Sequence, residues 1–166
     1  MARKVVVAAA QVGSIDRDTP KKEVVARLIA LLHKAAEKKV QLVVFPECTL
    51  TTFFPRHLID SQEELDKFFE HGEDVTQSPD FKPLFDIAQD YNMDIVLGHA
   101  DRTPVGTGYN TCVYYSASKT NVINKYRKAH LPGTKEPFPD PNAINQLRND
   151  TLRQVVLGSQ PSVSLA

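Results

Sequence analysis

Two β-branched runs on either side of one amphipathic helix constrain this chain more than any other feature. KVVVAAAQV at residues 4–12 and VQLVVF at residues 40–45 are apolar over most of their length. Between them, Thr19 is the predicted cap of a helix that has Pro20 at its first position. Val24, Val25, Leu28, Leu31, Leu32 and Ala35 then recur at helical spacing to about Glu37. Strand, helix, strand in that order predicts a parallel crossover. Continuous rather than alternating apolar runs predict strands covered on both faces, so the first strand is expected at the centre of a sheet.

The remaining pattern extends this unit into a layered α/β domain with a mixed sheet. Pro46 to Leu58 reads as a long loop. Ser61 caps a helix over Gln62 to Phe69, with Glu64 completing a capping box. Ser78-Pro79 opens another helix, whose apolar face is Phe81, Leu84, Phe85 and Ala88 and which ends near Asn92. DIVLGHA at 94–100 is a third strand. Asn110 to Ser116 and Asn121 to Asn124 read as two strands joined by a short turn at 117–120.

Composition narrows the function classes. A length of 166 residues, 42% of them apolar, with 24% charged and zero net charge, fits one soluble globular domain. That balance argues against a nucleic-acid binder working by bulk charge. No apolar run is long enough to span a membrane. The start MARKVVVAAAQV has the basic residues of a signal peptide, but Gln11 and Asp16 cut its apolar run short, and a buried strand fits better. The only cysteines, Cys48 and Cys112, make no disulfide framework, so reduced thiols and a cytoplasmic location are expected. The chain has no glycine-rich phosphate loop, and His33, His57, His71 and His99 lack metal-ligand spacing. Neither a metal nor a cofactor is expected.

Glu47 stands just beyond the C-terminal end of a buried strand, where α/β proteins place functional groups. Partial burial against Phe45, Phe53 and Phe54 would raise its pKa, as a general base requires. The alternative is a loop carboxylate that caps backbone N–H groups. Lys128 lies in the basic stretch KYRKAHLPG at 125–133. A lysine in a cleft can hold a tetrahedral anion; a solvated basic turn is the other reading. His130 fits a base and a loop-holding hydrogen bonder equally. His99 is placed on a strand and facing a cleft. Cys48 neighbours Glu47 at a strand exit, where adjacent side chains point apart, and so reads as a buried thiol. Cys112, inside an apolar strand, reads the same way.

VFPE at 44–47, LTTFFP at 50–55 and KYRKAHLPG at 125–133 resemble the nitrilase, or carbon–nitrogen hydrolase, superfamily. VVVAAAQVG, GYNTCVYYS and NVINKYRK follow its order, and the likeness covers residues 3–147. Within the superfamily the chain is most similar to the N-carbamoyl-D-amino-acid amidohydrolase branch. The resemblance implies a four-layer α-β-β-α sandwich built from two sheets, and a Glu-Lys-Cys triad. It makes Glu47 the general base, Lys128 the stabiliser of the tetrahedral intermediate and His130 the histidine that accompanies that lysine. Arg56, in LTTFFPR, becomes the candidate to grip a substrate carboxylate bidentately. The implied partners are a small amide or carbamoyl substrate and further copies of the chain in a homo-oligomer.

The chain also departs from that pattern. The family cysteine lies well downstream of the lysine, and here no cysteine follows Cys112. Thr134 stands where a second histidine is expected. Related sequences tend to continue with Glu-Lys-Arg-Tyr-Phe-Glu. One coding of that, GAG AAA CGA TAC TTT GAG, read one base later and followed by a G, gives Arg-Asn-Asp-Thr-Leu-Arg, which is the sequence at residues 148–153. Residues 1–147 are therefore expected to be the N-terminal part of a hydrolase domain, and 148–166 an aberrant, frame-shifted and disordered tail. The expectation is an inactive fragment with one sheet uncovered. The other readings are a non-catalytic α/β module that binds a partner or homologue, and a different amidase or nitrilase of the superfamily.

Overall fold

The alternation of β-branched runs and amphipathic stretches is realised in a computed structural model that describes residues 4–128, apart from 58, 60, 73, 107 and the side chain of Arg56. Its elements are β1 (Val7–Ala9), α1 (Lys21–Glu37), β2 (Leu42–Val44), α2 (Gln62–Asp66), β3 (Glu70–His71), α3 (Lys82–Asp90), β4 (Asp94–Arg102), β5 (Gly108–Ser116) and β6 (Asn121–Arg127). The sheet runs β1-β2-β4-β5-β6, with β3 beside the far end of β4. β1, β2 and β4 are parallel, joined by crossovers that carry α1 and α3. β5 and β6 add antiparallel, as the short turn between them requires.

Helices α1 and α3 cover one face of this open, mixed sheet. Val24, Leu28 and Leu32 from α1, with Leu84 and Phe85 from α3, close over Val43, Ile95, Leu97, Val113 and Tyr115. Each large side chain so buried contributes roughly 1.5–3 kcal/mol, so this face carries most of the hydrophobic stabilisation. A second cluster gathers Cys48, Phe54, Leu65, Phe68 and Phe69 around Ala100. Side chains alternate along β4, so Ala100 points away from the helix-covered face. The chain after β2 therefore wraps the opposite face only near the C-terminal end of β4, where Phe54 stacks on Phe68 at 5.0 Å.

Local signals are met in part. Ser61 accepts from the Glu64 N–H at 3.1 Å, as the capping pattern predicts. The Glu64 carboxylate pairs with Arg17 instead of closing the box. α2 stops at Asp66 because Phe68 and Phe69 are drawn into the second cluster. Thr19 does not cap α1; its hydroxyl accepts from the Asp16 N–H at 3.0 Å and Pro20 takes the cap position. Ser78 donates to Glu70 Oε2 at 2.7 Å, and Glu70 Oε1 accepts from Lys21 Nζ at 2.6 Å. With Ser78 committed to that link between α1 and β3, α3 begins only at Lys82.

The first strand departs from expectation. Among the described residues β1 is not central: it pairs with β2 alone, and Val5, Val6 and Val7 are 49%, 48% and 55% exposed. An apolar run predicts coverage on both faces, but among the described residues nothing covers the outer edge of β1, and the sheet face away from α1 and α3 is covered only towards the C-terminal end of β4. Tyr126, half exposed, stands on that bare face with Cys112 and Tyr114. Among the described residues the architecture is thus one main layer of helices, α1 and α3, on one open sheet, an incomplete α-β-β-α sandwich. Among the described residues no helix is long and apolar enough to cross a membrane. The proposed tail at 148–166 lies outside the described residues.

An uncovered edge of β-branched residues beside an uncovered apolar face invites self-association. The purified chain should elute as a multimer in size-exclusion chromatography, and Val7→Lys combined with Tyr126→Lys should shift it towards monomer. A monomer that melts cooperatively without those substitutions would contradict the expectation.

Candidate active site

β2 ends at Val44, and the chain then crosses β4. Phe45 N–H donates to Val96 O at 2.8 Å and Thr49 N–H to Gly98 O at 2.9 Å. Between these bonds the backbone of Pro46, Glu47 and Cys48 lies directly on Gly98. A Cβ at position 98 would sit 2.7 Å from Pro46 O and 2.8 Å from Glu47 Cα, so only glycine fits. A lone glycine inside an apolar strand is the sequence sign of such a close approach. Cys48 adopts φ +50°, in the left-handed region. The Thr49 hydroxyl donates to Pro46 O at 2.6 Å and closes the turn. The turn parts the two neighbours: Cys48 enters the aromatic cluster, and Glu47 reaches towards β5 and β6.

Glu47 Oε1 accepts from Lys128 Nζ at 2.8 Å and also from Asn110 Nδ2. Lys128 follows the end of β6, and its N–H donates to Asn110 O at 2.8 Å, which extends the β5–β6 ladder by one step. Register places Gly98, Cys112 and Tyr126 in one row across the sheet. Two residues along each strand, Ala100, Asn110 and Lys128 form the next row. Strand pairing thus brings together two groups that lie 81 residues apart in the chain. A cavity of about 290 Å³ opens beside them, lined by Glu47, Gly98, Asn110, Cys112, Tyr126 and Lys128 among others. A groove of about 770 Å³ between the exit of β1 and the loop after β2 also reaches Glu47.

The side chains of Glu47 and Lys128 are 40% and 29% exposed. A pair so open to water contributes only about 0–1 kcal/mol to stability, so its interest is chemical: an acceptor and an ammonium share the mouth of one cavity. The aromatic surroundings expected for Glu47 are not formed. Phe45 joins the core under the helices, and Phe53 and Phe54 join the second cluster. Polar donors hold this carboxylate instead.

Cys48 is buried, and its thiol is pushed up to about 12, by burial first and then by the Glu47 carboxylate, against the pull of Lys128. It carries no appreciable thiolate at neutral pH and is a packing residue, as its position after the strand predicts. Cys112 differs from expectation. It is only half-buried and lines the small cavity, with its thiol also raised by burial. His99 does not face a cleft. It is buried under the helices with its ring edge-on to Phe81 at 5.7 Å. Burial lowers its pKa to about 4, against the raising influence of Asp101 and with help from Lys125 and Arg127. Arg56 closes a single turn of 3-10 helix at Phe54–Arg56, with its side chain outside what is described. His130 also lies outside the described residues. Sequence reasoning missed Gly98 and Asn110; the signals were a glycine and an amide inside otherwise apolar strands.

The sequence profile of the carbon-nitrogen hydrolase family matches residues 6–156. The chain belongs to the carbon-nitrogen hydrolase family. Solved structures share its fold. An N-terminal amidase matches at 18% identity over 76% of this chain, with a TM-score of 0.59. A carbon-nitrogen hydrolase from Helicobacter pylori G27 matches at 18% over 77%, with a TM-score of 0.61. An amidase from Nesterenkonia sp. matches at 19% over 98%, with a TM-score of 0.61. This chain spans 28%, 40% and 51% of those three proteins, respectively.

Gly98→Ala should force the Pro46–Cys48 backbone off β4, because both close contacts are backbone atoms that cannot swing aside. We expect a loss of about 1–3 kcal/mol in urea unfolding and a displaced Glu47; unchanged stability would remove Gly98 from this role.

His99 gives a pH dependence of known sign. Its folded pKa of about 4 lies below the ordinary 6.5, so the unfolded state binds the extra proton. The stability is complete above pH 6.5 and is lost as pH falls towards 4, by on the order of 3 kcal/mol. Denaturant titrations at several pH values should show a smaller acid-side loss in His99→Leu than in the native chain. Parallel profiles would show that His99 is not the group responsible.

Proposed function

We propose that Glu47 and Lys128 are the base and the anion-stabilising lysine of a Glu-Lys-Cys amide hydrolase whose nucleophile is not among these 166 residues. The observation that carries the reading is Lys128 Nζ at 2.8 Å from Glu47 Oε1 at the mouth of a small cavity. In this reaction Glu47 takes the proton of a thiol, and the sulfur attacks the carbamoyl or amide carbon. Lys128 lies where the oxyanion develops. Ammonia or an amine leaves, and water then releases the acyl group. Neither thiol present replaces the nucleophile: Cys48 is buried away from the cavity, and nothing lowers the pKa of Cys112. On this reading His130 accompanies Lys128, and Arg56 grips the carboxylate of an N-carbamoyl amino acid. Residues 1–147 form the N-terminal part of the domain, and 148–166 are out of frame. The bare sheet face supports a second reading, in which the chain is a non-catalytic module that binds a partner or homologue.

Ammonia release from N-carbamoyl amino acids tests the proposal on two proteins: this chain, and a version with the reading frame after residue 147 restored. Activity should appear only in the restored version, and Glu47→Gln should lower it there by about 10²–10⁴-fold. Turnover by the 166-residue chain, with an acyl group trapped on Cys48 or Cys112, would overturn the proposal.

A further inference from the structure

The two donors on Glu47 converge on one of its oxygens. A carboxylate oxygen has two lone pairs. Glu47 Oε1 uses one for Lys128 Nζ at 2.8 Å and one for Asn110 Nδ2. Among the described residues no donor reaches Oε2. Asn110 is buried, and its amide has a fixed orientation here, because a carboxylate can only accept and must face the NH₂ end. The same residue anchors the lysine, since its main-chain carbonyl accepts the Lys128 N–H at 2.8 Å. Asn110 thus grips both partners, one through its side chain and one through its backbone.

We infer that Asn110 is a positioning residue that commits Glu47 Oε1 to structure and leaves Oε2 as the oxygen that receives the proton. The inference rests on the base role given to Glu47 above and adds which atom does the work and what selects it. When a thiol S–H bond breaks, its proton forms an O–H bond at Oε2 and the electron pair stays on sulfur. Oε1 becomes the carbonyl oxygen of a neutral carboxyl and still accepts from Asn110 and Lys128. The lysine therefore keeps its place and its proton through the transfer, ready for the oxyanion. Protonation at Oε1 would instead break one of the two bonds and release either the amide or the ammonium.

The test reads the side-chain amide of Asn110 by ¹H–¹⁵N NMR at neutral pH in the full 166-residue chain. Three proteins are compared: the native chain, Glu47→Gln and Glu47→Ala. Glu47→Gln serves as a mimic rather than a deletion, because the new side chain can set its carbonyl at the Oε1 position and its NH₂ at the Oε2 position. That arrangement copies the carboxyl protonated on Oε2. The Asn110 amide should lie downfield in the native chain, stay downfield to a lesser degree in Glu47→Gln, and collapse to the free-amide position in Glu47→Ala. Equal positions in the native chain and Glu47→Ala would remove Asn110 from the site. A collapse already in Glu47→Gln would show that Oε1 cannot stay an acceptor in the neutral state, and the assignment of the proton to Oε2 would fail. Multimeric material is read in the same way by magic-angle-spinning spectra. None of these outcomes depends on turnover, so they stand apart from the ammonia assay that tests the base role itself.

Discussion

The site depends on one close approach, the backbone of Pro46 to Cys48 lying on Gly98. Pro46 has no N–H and cannot continue the β2–β4 ladder. The chain leaves the ladder after Phe45 donates to Val96 and rejoins it when Thr49 donates to Gly98. The residues between must pass over β4, and a side chain on residue 98 would occupy that path. The left-handed conformation of Cys48 costs roughly 1–2 kcal/mol. Burial of its side chain with Phe54, Phe68 and Phe69 offsets that cost. A proline, a glycine and a buried thiol therefore cooperate to present one carboxylate.

The partner of that carboxylate is placed by different means. Lys128 owes its position to the β5–β6 ladder, which delivers its N–H to the carbonyl of Asn110. The ion pair itself is half in water and too weak to organise the backbone around it. Ladder and turn create the encounter, and the pair reports it. Charge elsewhere on the sheet is handled differently: Asp101 is almost fully buried on the helix side and is held by Lys125 at 2.8 Å and Arg127 at 3.1 Å. Both faces of the β6 segment thus carry cations, and the Lys128 face is the one that opens onto the cavity beside Glu47.

Much of this was legible in the sequence where the signal was local. The crossover through α1, the antiparallel pair β5 and β6, and the Ser61 cap follow from periodicity and turn chemistry. The structure brings together Glu47 and Lys128, the two residues that the stretches VFPE and KYRKAHLPG singled out. The misplacements share a cause, which is that tertiary partners decide. A continuous apolar run looks the same whether its covering layer is present or not, so β1 read as central and, among the described residues, is an edge. Thr19 and Ser78 carry cap-like hydroxyls that the fold assigns to a turn and to Glu70. His99 sits on the face that strand alternation gives to the helices, and a lone histidine carries no sign of which face that is. Asn110 was invisible because its role is to touch a residue 63 positions away.

The bare face and the weakness of the ion pair are connected. Glu47 and Lys128 stand on the side of the sheet that α1 and α3 leave open, and water reaches both. In high dielectric, unit charges 4 Å apart interact by only about 1 kcal/mol, and by about 4 kcal/mol once the surroundings resemble a protein surface site. A layer packed against Val7, Tyr114 and Tyr126 would shield apolar side chains and, by the same displacement of water, strengthen the field that Lys128 exerts on a developing oxyanion. In the proposed reaction a covering layer and an attacking thiol would therefore act together. On that proposal a small thiol diffusing into the open cavity would meet the Glu47 carboxylate, but in solvent that still screens the lysine. Covering this face is an electrostatic requirement of the chemistry as much as a packing requirement of the fold.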